Sequence, residues 1–411
     1  MPQPPLKQDD KGHARPRLRF RRLLWLLPAL LLLVGGYLYW RHLQQFRVAL
    51  SFADMTPILE PRTAGFLVGG EETPYSFYDW RGALIWRVGE THRGRYIRAG
   101  EVLMETEKQY ALSPDGQYLS AVDSVPWAKQ VELKTWQKGK PYRTMVIPLG
   151  MVVTMRQMND GSVYVAGKRQ GEASRLLWIK GARIAAKAES YPVLDIATDG
   201  GAAIVSYRAG RTRNRLPYSM TIANGEIRLR PTIYRGDSTV HEKGIVLFDD
   251  GFRLVNGAIK PLVPGAPNVH LAGLSRGRDY ALFAGQGRAV VISPVTGARW
   301  AFPVEAGAAI MDGLPGIADN GRFAAVVVER DAYRQLRRLY AAFPPLAQRL
   351  PQRRRQDVLL YARPGRLVAD LSESLDREVV TDAPWYPSPD GRALLGFIRE
   401  NGARRCVLIH R

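Results

Sequence analysis

The sequence predicts an all-β fold, an eight-bladed β-propeller closed by an N-terminal strand and preceded by one transmembrane helix. Three observations carry that expectation. The turn Ser113-Pro114-Asp115-Gly116, followed by the apolar run Tyr118 to Val122, returns in full as Ser388-Pro389-Asp390-Gly391. Strand-opening glycines recur between these copies at near-constant intervals, and residues 23–40 form an uncharged, leucine-rich run. Proline presets the first turn dihedral, the aspartate carboxylate accepts from nearby backbone N–H groups, and glycine takes a positive φ, so the unit is a turn that launches a strand. Repetition at a fixed period decides an architecture.

Residues 1–22 are polar, proline-bearing and basic, and are expected to be a disordered cytoplasmic tail. The run 23–40 approaches the ~20 residues a bilayer demands, with Trp25 at one end and Tyr37, Tyr39 and Trp40 at the other, as interfacial belts are placed. No Ala-x-Ala-like site follows, which favours an uncleaved signal anchor over a cleaved signal peptide. Five arginines lie between residues 15 and 22, against Arg41 and Arg47 beyond the run. The positive-inside rule then puts the N-terminus in the cytoplasm and residues 46–411 in the periplasm or outside the cell.

Aligned on the glycine that opens each strand, the repeats fall at Gly65, Gly116, Gly161, Gly200, Gly244, Gly277, Gly321 and Gly391, with spacings of 51, 45, 39, 44, 33, 44 and 70. Most lie near the ~40 to 50 residues of a four-stranded blade. Apolar runs follow, such as Val163 to Ala166, Phe323 to Val328 and Ala393 to Ile398, and these suit strands buried on both faces. Asn224-Gly225 and Asn256-Gly257 are the strongest hairpin signals. Eight units are expected, or seven if those around Gly244 and Gly277 share a sheet. The last unit stops one strand short, and residues 46–52 read as the missing strand, closing the ring and removing its open edges.

The Ser-Pro-Asp-Gly turns resemble those of the TolB-like β-propeller repeats, and the hairpins ending in Trp86 and Trp300 look like those of quinoprotein-type propellers. The resemblance spans roughly residues 46–411 and implies a fold. TolB-like proteins are usually soluble in the periplasm after signal cleavage, whereas this chain keeps its apolar run, and shared turns do not transfer an activity.

The chain has 411 residues and is 46% hydrophobic, enough for a large core. Its single cysteine, Cys406, excludes an intrachain disulfide and a thiolate metal site. A formal charge of +21 favours an acidic protein surface or polyanion as partner; no nucleic-acid partner is expected. In the usual blade order, loops between second and third strands share one rim and the motif turns lie on the other, with the N-terminal strand entering from the motif-turn side. The first rim gathers basic residues: Lys168, Arg169 and Arg175 in one loop, and Arg208, Arg211, Arg213 and Arg215 in the next. A helical, arginine-rich insertion is expected at about 330–356. In it Tyr333, Leu336, Leu339, Tyr340 and Phe343 recur at helical spacing, with Arg334, Arg337 and Arg338 on the polar side and Arg353-Arg354-Arg355 after the helix. These arginines are a solvated surface, a rim that docks an acidic partner, or a contact with anionic membrane.

Catalytic signals are sparse. Gly273-Leu274-Ser275-Arg276-Gly277 fits a nucleophile elbow, but it falls on a repeat turn before a strand rather than between strand and helix. The six histidines show no metal-ligand spacing, and no phosphate-binding loop or dinucleotide fingerprint occurs, so no metal or cofactor is expected. The sequence therefore favours a binding or scaffold module over an enzyme. The rival is a hydrolase or lyase of an anionic polymer: two carboxylates or a His–carboxylate pair ~5 to 9 Å apart at the channel mouth would favour it, and a mouth lined only by apolar and arginine side chains would favour binding.

Overall fold

The computed structural model describes residues 28, 30–38, 46–52, 58–94, 96–99, 102–190, 192–197, 202–209, 212–232, 238–240, 245–248, 250–255, 258–262, 269–285, 287–305, 307–333 and 353–411. Residues 30–38 are helical with their leucines exposed. No helix among the described residues is long and apolar enough to cross a membrane. The tail 1–22 and the remainder of the 23–40 run lie outside the described residues.

Residues 46–410 form one compact unit of antiparallel meanders. After strand β1 (Arg47–Phe52), the first meander is Ile58–Arg62, Gly65–Gly69, Pro74–Tyr78 and Leu84–Thr91 (β2 to β5). A hairpin of Tyr96–Ala99 and Val102–Glu105 (β6, β7) precedes the second, Glu107–Leu112, Tyr118–Ser124, Val131–Gln137 and Lys140–Ile147 (β8 to β11). The third is Met151–Gln157, Val163–Lys168, Ser174–Lys180 and Arg183–Ser190 (β12 to β15); the fourth is Val193–Ile196, Ala202–Ala209, Thr212–Ala223 and Glu226–Pro231 (β16 to β19). Their outer strands touch through one parallel pair, Lys187 with Glu226. The fifth is Ser238–Val240, Val246–Phe248, Phe252–Val255 and Ala258–Pro261 (β20 to β23), and the sixth His270–Leu274, Ala281–Gly285, Arg288–Ile292 and Arg299–Pro303 (β24 to β27). These two are separate sheets.

In the seventh, Ala309–Ile310 and Gly316–Ile317 (β28, β29) both pair with Phe323–Asp331 (β30), followed by Arg354–Ala362 and Arg366–Asp370 (β31, β32). In the last, Glu378–Val379 and Tyr386–Pro387 (β33, β34) pair with Ala393–Glu400 (β35), and Ala403–His410 (β36) follows. The fourth strand of that sheet is β1, antiparallel to β36 from Arg47 opposite His410 to Phe52 opposite Cys406. The strand expected to complete the last unit thus does so.

The core is a cycle of interfaces, which makes the unit a β-propeller. Leu67, Trp86 and Leu119 join the first and second meanders, and Leu133 with Val165 the second and third. Tyr164 and Met220 join the third and fourth, Ile204 and Phe248 the fourth and fifth, and Leu247 and Phe283 the fifth and sixth. Leu282 and Val326 join the sixth and seventh, and Val358 with Leu394 the seventh and last. Phe66 and Leu408, with Phe52 of β1, close the cycle from last to first. Second strands are buried on both faces, as in β3 and β35, whereas outer strands alternate, as in β27.

The repeated turns hold their conformation by identical bonds. Ser113 and Ser388 are fully buried; each Oγ accepts the backbone N–H five residues on, and each donates to the turn aspartate, at 2.5 Å to Asp115 and 2.7 Å to Asp390. Gly116, Gly321 and Gly391 take positive φ, and a Cβ at each would strike an aromatic ring of the preceding meander, Phe77, Tyr280 and Phe323 respectively. Trp86 Nε1 donates to the Gly116 carbonyl and Trp300 Nε1 to that of Gly321, so the tryptophan-ended hairpins tie each outer strand to the next turn. Asn224-Gly225 forms its hairpin with both residues at positive φ; Gly200, Gly244 and Asn256-Gly257 lie outside the described residues. The sixth unit corrects the glycine alignment. Arg278, at φ 63°, bonds back to the Ser275 carbonyl as Gly116 does to Ser113, so Arg278 and not Gly277 occupies the motif-glycine position.

Candidate functional site

The first strands of the meanders face one another around a central cavity of about 850 Å³. Its wall is built by the ends of β2, β8, β12, β16 and β24, the segment before β29, and the start of β34. Those ends lead into the motif turns, so the cavity opens toward the motif-turn rim. Its charged lining among the described residues is Glu60, Arg62, Arg156, Asp195, Arg276 and Arg278.

Most of these groups are committed to the wall. Arg62 donates to the Leu112 and Ser113 carbonyls of the next meander at 3.1 Å each and pairs with Glu60 at 3.1 Å. Arg156 makes the same kind of stitch one interface on, to the Ile196 carbonyl at 2.9 Å and to Asp195 at 3.0 Å. Arg278 meets Asp195 from across the ring at 2.5 Å. Tyr110 donates to Glu60 at 3.2 Å. Arg276 differs: its Nε and Nη2 donate to the Tyr386 hydroxyl at 3.1 and 2.8 Å, and its nearest carboxylate oxygen, on Glu60, is 3.9 Å away.

Burial alone would raise the Glu60 pKa, but Arg276, Arg62 and the Tyr110 hydroxyl hold it below the usual carboxylate range. Glu60 is therefore ionised at neutral pH and has no proton to donate. Burial, then the Arg278 and Arg62 cations, push Arg156 down to about 10. Burial also pushes Tyr386 upward, against the pull of Arg276. The channel thus holds two carboxylates among the described residues, and both are ion-paired to arginines.

The sign of the Glu60 shift sets a pH dependence. A depressed folded pKa contributes stability that is fully present above the ordinary glutamate value of about 4.3 and is lost as pH falls through the folded value. Glu60→Gln is expected to cost about 1–3 kcal/mol at pH 7 and to flatten the loss of stability on acidification. Urea midpoints at pH 7 and 3.5 check it; parallel losses in both proteins would show that Glu60 carries none of the effect.

Ser275 also lines the cavity, and the structure explains its motif. It is buried, and its Oγ accepts from Tyr280 N–H as Ser113 accepts from Tyr118. It is a third copy of the turn serine. His410, the histidine a triad would need, bonds the Trp80 carbonyl beside the last sheet.

The sequence-selected arginines are not brought into this cavity. Arg208 lies on β17 and Arg213 and Arg215 on β18, with Arg208 paired opposite Arg213, so these three sit on a strand ladder rather than in a loop. Arg211 and Arg334, Arg337 and Arg338 lie outside the described residues, as does most of the expected helix. Strands β30 and β31 extend into the range expected to be inserted, through the pair Asp331–Arg354, so the excursion is confined to 332–353. Arg330 is buried in that ladder, Arg354 pairs with Glu329 at 3.0 Å, and Arg355 pairs with Asp357 and Glu373 at 2.9 Å each. Arg353 follows the excursion, its carbonyl accepting from Ala332 N–H.

Sequence reasoning missed Glu60, Arg62, Arg156, Asp195, Arg276 and Arg278, which are far apart in the chain. One signal was available: the sixth turn reads Ser275-Arg276-Gly277-Arg278 where complete copies read Ser-Pro-Asp-Gly.

No protein-family description matches the chain, and no curated protein matches it. Solved structures similar to it include the WD40 domain of SCAP from fission yeast, 10% identical, covering 90% of this chain and 95% of that one with a TM-score of 0.46. The β-propeller domain of the Trilobed protease from Pyrococcus furiosus is 9% identical over 77% of this chain and 98% of that one, TM-score 0.41. BamB from Moraxella catarrhalis is 10% identical over 88% and 97%, TM-score 0.39.

Proposed function

We propose that this chain is an eight-bladed, TolB-like propeller, one blade per meander, held outside the cytoplasmic membrane by residues 23–40 and acting as a docking scaffold for an acidic protein surface. The docking face is the rim opposite the motif turns. There the ends of second and third strands and the connections between them carry Lys168, Arg169 and Arg175, the hairpin of Arg208, Arg211, Arg213 and Arg215, and the excursion holding Arg334, Arg337 and Arg338 beside Arg353, Arg354 and Arg355.

One observation carries this reading: β30 and β31 pair without interruption from Phe323–Ala362 to Asp331–Arg354. The arginine-rich excursion therefore leaves from the tip of a continuous ladder, whose base is fixed in the ring. A long excursion on a rigid stem is more often functional than idle. Guanidinium groups suit the partner because their planar fork matches carboxylates.

The test is a membrane-impermeant cross-linker applied to intact spheroplasts. Wild type is expected to capture an acidic protein, and a variant lacking 334–352 to lose it. Capture only after lysis would overturn the placement, and capture unchanged by the deletion would overturn the docking face.

A further inference from the structure

We infer that the motif-turn mouth of the central cavity is a binding site for a compact dianion, a phosphate monoester or a dicarboxylate, gripped by Arg276 on the sixth turn. The site lies on the rim opposite the proposed docking face, so failure of either reading leaves the other standing.

The first argument is the turn itself. In the second and last meanders, proline and aspartate occupy the middle of the turn, and the aspartate is spent on the turn's own serine and backbone: Asp115 accepts from Gln117 N–H and Asp390 from Arg392 N–H, both at 3.0 Å. The sixth turn gives up both residues. Gly277 N–H still donates to the next meander, to Asp319 at 2.9 Å, as Asp115 N–H does to Asn159 at 3.0 Å. Arg278 sits at φ 63° where glycine is the usual occupant, a conformation that a residue carrying a Cβ disfavours. Such strain is retained where the surroundings over-determine it, typically at functional sites. Its result is two guanidinium groups aimed at one cavity.

The second argument is charge. Four arginines and two carboxylates line the described wall, an excess of two positive charges. The excess is not evenly committed. Arg62 and Arg156 donate to main-chain carbonyls, and Arg278 pairs closely with Asp195. Arg276 shares Glu60 with Arg62 at the longer distance of 3.9 Å, otherwise bonds a neutral phenol, keeps 44% of its side-chain surface exposed, and has its guanidinium carbon 5.4 Å from the Tyr386 ring centroid. A guanidinium already fixed by two bonds to the Tyr386 hydroxyl is pre-oriented, so little rotamer freedom is lost when an oxyanion takes the N–H groups those bonds leave unused. Arg156, lowered first by burial and then by Arg278 and Arg62 against the pull of Asp195 and Glu60, stands among cations that a bound dianion would help to neutralise. A cavity of about 850 Å³ admits a small molecule.

The experiment uses the full-length protein in detergent, with inorganic phosphate and succinate as probes in calorimetric titrations at ionic strength matched with sodium chloride. Wild type is expected to bind at least one probe. Phosphate alone assigns the phosphate class, succinate alone the dicarboxylate class, and both a general dianion site. Arg276→Gln is expected to weaken binding at least ten-fold, and the outer-strand variant Arg366→Gln, exposed and outside the cavity lining, to bind as wild type does. Should Arg276→Gln fail to fold, Arg276→Lys keeps the charge, loses the fork, and is expected to bind more weakly than wild type. Binding of neither probe beyond the chloride control, or equal affinities in the wild type and the Arg276 variant, would overturn the site.

Discussion

Arg330→Ala is expected to lower the free energy of unfolding by about 3–5 kcal/mol, the typical cost of removing one partner from a buried ion pair. Arg330 keeps only 4% of its side-chain surface and pairs with two carboxylates, Asp357 at 2% and Asp370 at 11%. Burial pushes the Asp370 carboxyl above its ordinary value even with Arg330 beside it. Without the guanidinium, two carboxylates face each other in a poorly hydrated site, with Arg355 reaching only Asp357 and Glu373. The penalty belongs to the stranded acids and not to the lost bonds. Arg330→Met combined with Asp357→Leu and Asp370→Leu should therefore recover most of it, since apolar replacements of buried ion pairs are often neutral. Urea titrations of the three proteins check this; a single-variant loss below about 1 kcal/mol would show that the carboxylates find water or neutralise at little cost. Because Arg330 lies two residues before the excursion, its loss is also expected to loosen the stem on which the proposed docking face stands.

The propeller was legible because its signals are local. Ser-Pro-Asp-Gly, Asn224-Gly225 and the doubly apolar run after each turn are each written within ten residues, and the same physics acts at every copy. The closing strand was legible by subtraction: after Ala403–His410 one strand was missing, and Arg47–Phe52 was unassigned. The channel was not legible, because its residues belong to different meanders. Glu60 and Arg276 are ordinary surface-type residues in sequence, and only closure of the ring sets them 3.9 Å apart. Counting charges along the chain led instead to the arginine-rich runs. Some of these are ladder residues already paired, as Arg354 and Arg355 are, because their strand runs four residues beyond its apolar core and carries polar side chains at its tip. Departure from the repeat, and not density of charge, pointed to the cavity.

Trp385→Ala is expected to be comparably damaging, about 3–5 kcal/mol, as for other aromatic truncations in a core. Trp385 is wholly buried among Val358, Leu360, Leu371, Leu394, Val407 and Ile409, where the seventh and last meanders meet. Gly396 lies so close that a Cβ there would enter the indole ring, and Gly316 approaches the Trp385 carbonyl in the same way. Strands held this close by glycine are poorly placed to collapse into the void an alanine leaves. The indole N–H donates to the Val380 carbonyl at 2.9 Å, so Trp385→Phe should cost less, about 1–3 kcal/mol for a buried acceptor left unpaired. The effect should also be local. The last sheet is completed by β1 through a two-strand contact with β36 alone, so a sheet that loosens beneath β36 releases the closing strand first. Amide exchange should then quicken at Val48 to Phe52 well before it does at Tyr118 to Ser124, on the far side of the first interface. Uniform acceleration across both strands would mean that the ring opens as one cooperative unit, and that the N-terminal strand is no weaker than any other seam.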